Sequence, residues 1–244
     1  QSNPDYQSRF TDWLTKEAVQ HSTIPYLLDA FCCFLNSEGF EIFRCNLATD
    51  TIHPQMTGAR HVWYDTVTDP GPINPAVVVD RRQYQLNGAM IDEVFFNSGS
   101  QENPQYKASP FYQVELLGEL YEPIYEAGKT QKYPLFDDLA VDGCTGYFGI
   151  KLNSFAGMLQ KMGMSTKCGS GLNPDQISAL RWSTSLLTLH LNTVVESTIK
   201  NTLSRLYIGK DPGQRITNGM IELGNVVSLE AVIWFSDLRN FTSS

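Results

Sequence analysis

"FEIFRCNLAT", residues 40–49, decides the fold. Phe43, Cys45 and Leu47 alternate with Arg44 and Asn46, and a period of two is that of a half-buried strand. The stretch follows directly on a helix. In "STIPYLLDAFCCFLNSEG", residues 22–39, Thr23 stands at the cap, Pro25 in the first turn, and Gly39 where a left-handed residue ends the helix. Before it, "DYQSRFTDWLTKEAVQ", residues 5–20, sets Phe10, Trp13, Leu14 and Ala18 on one helical face.

Downstream, "ARHVWYDTV" (59–67) and "PAVVVDRRQYQL" (75–86) read as further strands, separated by the turn-rich "TDPGPINP" (68–75). "SPFYQVELLGELYEPIYEAG" (109–128) reads either as a strand pair or as a helix followed by a strand. "YPLFDDLAVDG" (133–143) is a short helix closed by Gly143, and "CTGYFGIKLNS" (144–154) and "GMLQKMGMSTKC" (157–168) are two strands around a turn. Helices flanking an antiparallel sheet make an α+β layer arrangement. At "GLNPDQISAL" (171–180) the period changes: Asn173 caps, Pro174 takes the first helical position and Asp175 favours the positive helix end. A helix of about thirty residues follows, well above the usual length. Along it Leu180, Leu187, Leu191, Val194, Val195, Ile199, Leu203 and Leu206 approximate a heptad seam, weakened by Thr184 and Thr198. That seam predicts a homodimer joined through residues 176–206; packing on its own sheet is the competing reading.

Composition narrows the function classes. The 244 residues carry a formal charge of −8 with no Lys/Arg patch, which argues against a nucleic-acid surface. The longest mostly apolar run, "IPYLLDAFCCFL", is too short to span a bilayer. Cys32, Cys33, Cys45, Cys144 and Cys168 are odd in number and lack C-x-x-C spacing, against a disulfide framework or a zinc site. Cys32 and Cys33 read as small core residues. A reducing cytoplasm fits this cysteine usage. His53, beside a proline, and His61 lack a second histidine at metal spacing and read as structural.

The end of the chain carries a motif. "WFSDLRNFTSS", residues 234–244, resembles the opening strand and loop of a class III adenylate or guanylate cyclase catalytic domain, through Phe235, Asp237, Leu238, Arg239, Phe241 and Thr242. "YIGKDPGQRITNGMIELG", residues 207–224, resembles the linker ahead of that strand in bacterial members. Asn240 stands where the family usually has Gly, and Asn tolerates the same left-handed backbone. The resemblance covers about the last forty residues. It implies that Asp237 and the Leu238 carbonyl coordinate Mg²⁺ or Mn²⁺, while the amides of Asn240, Phe241 and Thr242 hold the nucleotide triphosphate. A carboxylate at a strand end suits a hard cation, and amides opening a helix suit phosphate; an Asp that merely caps a helix is the plainer alternative. The implied reaction, ATP to cyclic AMP and pyrophosphate, needs a second carboxylate and purine-reading residues. The chain is therefore read as stopping just inside the catalytic domain, and the fragment by itself as inactive.

The remainder resembles, in architecture alone, the GAF class of sensory domains: a terminal helix pair, an antiparallel sheet and a long exit helix. The resemblance divides the chain into a GAF-like sensor (1–175), a signalling and dimerisation helix (176–206), a linker (207–228) and the first strand of a cyclase domain (229–244). Such domains usually bind a small molecule between sheet and crossing loops. Trp63, Tyr64, Phe111, Tyr112, Tyr147 and Phe148 are the candidate pocket residues, although aromatic side chains also serve plain packing. Two functions stand: the regulatory sensor region of a cyclase, or a free-standing dimeric small-molecule-binding module without enzymatic output.

Overall fold

The decisive strand is Ile42–Asp50 (β1), and it is not half-exposed. In the computed structural model, which describes residues 4–53, 56–70, 75–97, 103–154, 157–220, 232, 234 and 235, β1 has a strand on either side and is covered on both faces. The chain builds Pro4–Lys16 (α1), Ile24–Ser37 (α2), β1, Gly58–Tyr64 (β2), Val78–Leu86 (β3) and Ala89–Phe96 (β4). It continues with Pro104–Lys107 (α3), Pro110–Leu117 (α4), Glu119–Pro123 (β5), Pro134–Val141 (α5), Gly146–Leu152 (β6) and Gln160–Thr166 (β7). The last elements are Pro174–Tyr207 (α6) and Lys210–Thr217 (α7). The described strands form one antiparallel sheet in the order β3-β4-β2-β1-β7-β6-β5. The fold is α+β: an antiparallel sheet flanked by helices, with a long C-terminal helix.

One face of the sheet is closed by α1, α2 and α6. Phe10 and Trp13 from α1, Leu27 and Phe31 from α2, and Leu180, Leu187 and Leu191 from α6 meet Cys45, Leu47, Trp63, Ile91, Phe148 and Met164 of the strands. Trp182 sets its edge on Phe10 at 5.5 Å, and Trp13 lies 5.1 Å from Phe34. Burying each such side chain contributes roughly 1.5–3 kcal/mol. The expected seam of α6 is thus spent on the chain itself: Leu180, Leu187, Leu191, Val194, Val195 and Ile199 are all buried in this core. Thr184 and Thr198 do not weaken it, because their hydroxyls donate to the Leu180 and Val194 carbonyls one turn back. Asn173 and Gln176 form a reciprocal capping box at 2.9 and 3.0 Å. Thr23, by contrast, stands at the cap of α2 without a side-chain bond.

Three local readings resolve differently from the pattern. Residues 109–128 are a helix followed by a strand, α4 and β5. β4 lies in a stretch without a clear alternation, yet it pairs with β3 through a two-residue turn in which Asn87 (φ 50°) and Gly88 (φ 87°) are both left-handed. Cys32 is buried but Cys33, one position on, is exposed on α2; all five cysteines are free thiols. Of the expected strand "LEAVIWF", Val232, Trp234 and Phe235 are described, exposed and outside any strand, and the remainder lies outside the described residues. Among the described residues no helix is long and apolar enough to cross a membrane.

Charged groups on the helix-covered face have partners, while both amide atoms of Gln160 and His61 Nδ1 are buried there without one. Asp29, on α2, accepts from Trp63 Nε1 at 2.8 Å and from Asn87 Nδ2 at 2.9 Å. Glu93 lies 2.9 Å from His61 Nε2, accepts from the Tyr84 hydroxyl at 2.9 Å, and has Arg82 at 3.8 Å. Burial alone would raise the Glu93 carboxyl, but these neighbours hold it below its usual value. A depressed carboxylate stabilises the fold above its unfolded value of about 4.3, and the contribution is lost as pH falls through the folded value. Glu93→Gln is expected to cost about 1–3 kcal/mol at pH 7 and to flatten the fall in stability below pH ~4, measured as urea midpoints against pH.

The other face is closed over its β5-β6-β7 half by α4 and α5. Two glycines make room. A Cβ on Gly149 would overlap Val114 of α4, and one on Gly163 would overlap the Tyr147 hydroxyl that lies across it, with Phe111 also close. Gly149→Ala should therefore cost about 1–3 kcal/mol. Combined with Val114→Ala it should cost less than the sum of the two single changes, which a double-mutant cycle of thermal melts will read.

Candidate functional site

Strand alternation sorts the side chains. Cys45 pairs with Trp63 and Met164 on the helix-covered face, so Arg44, Asn46 and Ala48 of β1 point the other way. The registers place Arg60, Val62 and Tyr64 of β2, Asp92 and Val94 of β4, Arg81 of β3, Lys161 and Ser165 of β7 and Tyr147 of β6 on that second face.

Two connections bear on it. β2 and β3 are both antiparallel to β4, hence parallel to each other, so residues 65–77 must cross a face to join them. Asp69, in the described part of that connection, acts electrostatically on Arg81 of the second face. Residues 97–118 then pass from β4 to β5 and lay α4 on β6 and β7. The second face is a sheet floor partly roofed by a connection, where binding residues are disproportionately found.

The floor is polar and cationic. Arg44 lies over the Tyr64 ring at 5.6 Å and Arg60 over the Phe96 ring at 5.4 Å. Arg81 pairs with the buried Asp92 at 2.7 Å. Lys161, almost wholly buried, donates to Glu115 of α4 at 2.6 Å and to the Tyr106 hydroxyl, and its ammonium stands 4.8 and 5.0 Å from the Tyr106 and Phe111 ring centres. Burial lowers the Lys161 ammonium; Glu115, raised by burial alone, is held low by Lys161 and Tyr106. Arg81 and Lys161 are thus neutralised. Arg44 and Arg60 have no ion pair among the described residues. Burial, and after it the Arg44 cation, lower the Arg60 guanidinium. On this floor three buried polar atoms lack a hydrogen-bond partner: Arg60 Nε itself, Asn46 Oδ1 on β1, and Ser165 Oγ on β7, opposite Arg44.

The six expected pocket residues divide between the faces. Trp63 and Phe148 belong to the helix-covered core, with the Trp63 ring fixed by Asp29. Tyr64 and Tyr147 face the roofed side, and Phe111 reaches it from α4 to converge with Tyr147 above Gly163. Tyr112 lies edge-on to Tyr106 at 5.5 Å, beside the Lys161 cluster. Asp237, Leu238, Asn240, Phe241 and Thr242, the metal and nucleotide residues of the cyclase resemblance, lie outside the described residues. His61 is tied to Glu93, whereas His53 lines an open cleft of about 540 Å³ with Asp50, Met56 and Met158. A second open cleft of about 650 Å³ runs between α1 and α2, past Arg9, Trp13 and Cys33. Among the described residues no three His, Cys, Asp or Glu side chains group so as to hold a metal ion. The aromatic pattern overlooked Arg44, Arg60, Asn46 and Ser165. Their one sequence signal is the polar half of a strand that proves to be central.

No family model and no curated protein matches the chain. Among solved structures it is similar to the GAF domain of a two-component sensor histidine kinase from Bacillus halodurans, at 11% identity and a TM-score of 0.35, covering 64% of this chain and 83% of that one. A likeness of that grade carries no argument about what this chain binds, which rests on the geometry above.

Proposed function

We propose that this chain is the sensory and regulatory region of a class III nucleotidyl cyclase, taking a small molecule on the roofed face of its GAF-like domain and relaying the event through α6. The observation that carries the reading is α6 itself. Its first two-thirds are part of the sensor core, down to Ile199, and its end leads toward the residues that resemble the cyclase linker and metal strand. A shift of the sheet against α6 is thereby delivered to whatever follows Tyr207. The output by resemblance is ATP to cyclic AMP and pyrophosphate. Asp237 and the Leu238 carbonyl would hold Mg²⁺ or Mn²⁺, and the amides of Asn240, Phe241 and Thr242 the triphosphate.

The relay is read as dimeric. With the seam buried down to Ile199, pairing falls to the end of α6, where Leu206 and Tyr207 are exposed. Leu206→Asp is expected to weaken a dimer seen by light scattering and leave the domain folded, whereas Leu191→Asp puts a charge in the domain's own core and should unfold it. One feature favours a free-standing module: α7 turns back on α6, with Gly213 close against the Ser204 carbonyl. A longer chain carrying a catalytic domain after residue 244 separates the two. It should make cyclic nucleotide from ATP or GTP with Mg²⁺ or Mn²⁺, and Asp237→Ala should abolish turnover while folding and mass are unchanged. Inactivity with both nucleotides, or full activity without Asp237, would reject the cyclase output.

A further inference from the structure

We infer that the roofed face binds an anion, with Arg44 and Arg60 as a guanidinium clamp, Asn46 beside Arg44 on β1 and Ser165 opposite Arg44 on β7. The inference rests on the reading of that face as the sensing surface and adds the chemical class of its ligand. Four observations carry it. The more covered cations of the floor are matched, Arg81 by Asp92 and Lys161 by Glu115, while Lys151, beside Lys161 on the same face, is exposed to solvent. Arg44 and Arg60 stand without a carboxylate among the described residues, on adjacent strands and turned to the same side. Each guanidinium carbon lies over a ring, Tyr64 at 5.6 Å or Phe96 at 5.4 Å, and a guanidinium so placed can still take a bidentate partner at its edge. Asn46 is 7% and Ser165 0% exposed, and Asn46 Oδ1, Arg60 Nε and Ser165 Oγ are buried without a partner. A buried donor left unmade destabilises the protein, and Arg60 Nε and Ser165 Oγ are two donors that an incoming acceptor would complete; Asn46 Oδ1 is an acceptor and is not served by the anion.

An oxyanion fits this arrangement, because a carboxylate or phosphate presents two acceptors to each guanidinium edge and takes a further bond from the Ser165 hydroxyl. Two like charges held at short range are costly alone, and the anion removes that cost. A neutral ligand would leave it in place.

The test uses the 244-residue chain in buffer free of multivalent anions, with ionic strength fixed by NaCl. Inorganic phosphate and succinate are titrated by calorimetry and thermal melts, with the uncharged succinamide as control. At least one anion should bind saturably and raise the melting temperature beyond the NaCl baseline; which of the two does so separates phosphate from carboxylate ligands. Arg60→Gln and Arg44→Gln should each weaken that binding tenfold or more, and Arg181→Gln, paired with Glu119 away from the face, should leave it unchanged. Without anion, Arg60→Gln should melt no lower than the parent; a purely structural arginine would lower it. Succinamide binding that Asn46→Leu abolishes and Arg60→Gln spares would overturn the anion and leave the sensing face standing. Anion binding indifferent to Arg44, Arg60 and Asn46 alike would overturn both, and the absence of saturable binding by either anion would overturn the clamp.

Discussion

The structure depends on the double coverage of β1. A strand with a neighbour on each side and a layer on each face has no route to water for its polar side chains. Arg44 and Asn46 sit on that strand, opposite Cys45 and Leu47. The helix-covered face solves its part by apolar packing, with Cys45 and Leu47 under α2 and α6. The other face has to be closed by whatever the chain can lay over it, and that need shapes the middle third of the sequence. The helix α4 and the glycines at 149 and 163 serve to bring cover down on a floor that is partly ionic.

The two faces differ in how their charges are matched, although buried polar atoms without a partner occur on both, at Gln160 and His61 on the helix-covered side. On the helix-covered side the larger buried charges have partners: Asp29 holds Trp63 and Asn87, and Glu93 holds Tyr84 and His61. Such matched networks rigidify a core and fix the sheet's relation to the helices. On the roofed side two guanidiniums and three buried atoms are left over. A ligand shifts an equilibrium only through differential free energy, and unpaired guanidiniums are one source of it.

The long helix is bound to the sheet. Because Leu180 to Ile199 are core, α6 cannot move without disturbing the sheet, and the sheet cannot rearrange without carrying α6. Its last turns, with Leu203 only partly covered and Leu206 exposed, are the part that leaves the domain. An exit helix of this kind is a rigid element with one end in the sensor, the physical requirement for coupling over distance.

The sequence by itself determined the elements whose signals are local. Asn173, Pro174 and Gln176 set the start of α6, because a cap is settled by three neighbouring residues. Gly39 and Gly143 closed their helices, because a left-handed residue is a local demand. The α+β class followed from the order of periods along the chain. β4 was not read from the sequence: its run "AMIDEVFF" mixes burial on both faces and loses the alternation that marks a half-exposed strand, and the local signal that could have found it is the Asn87-Gly88 turn. Only the tertiary structure decided which face each strand residue serves. Trp63 and Tyr64 are neighbours in sequence, yet one is core under α2 and the other lies on the roofed floor. Likewise an α6 seam that could have faced a second chain is buried on the chain's own core, a choice that depends on where α1 and α2 pack. Arg44 and Arg60 looked like the solvated side of ordinary strands. Their proposed reading as a site depends on packing by parts of the chain distant in sequence, and no local pattern encodes which polar side chains such parts will close over.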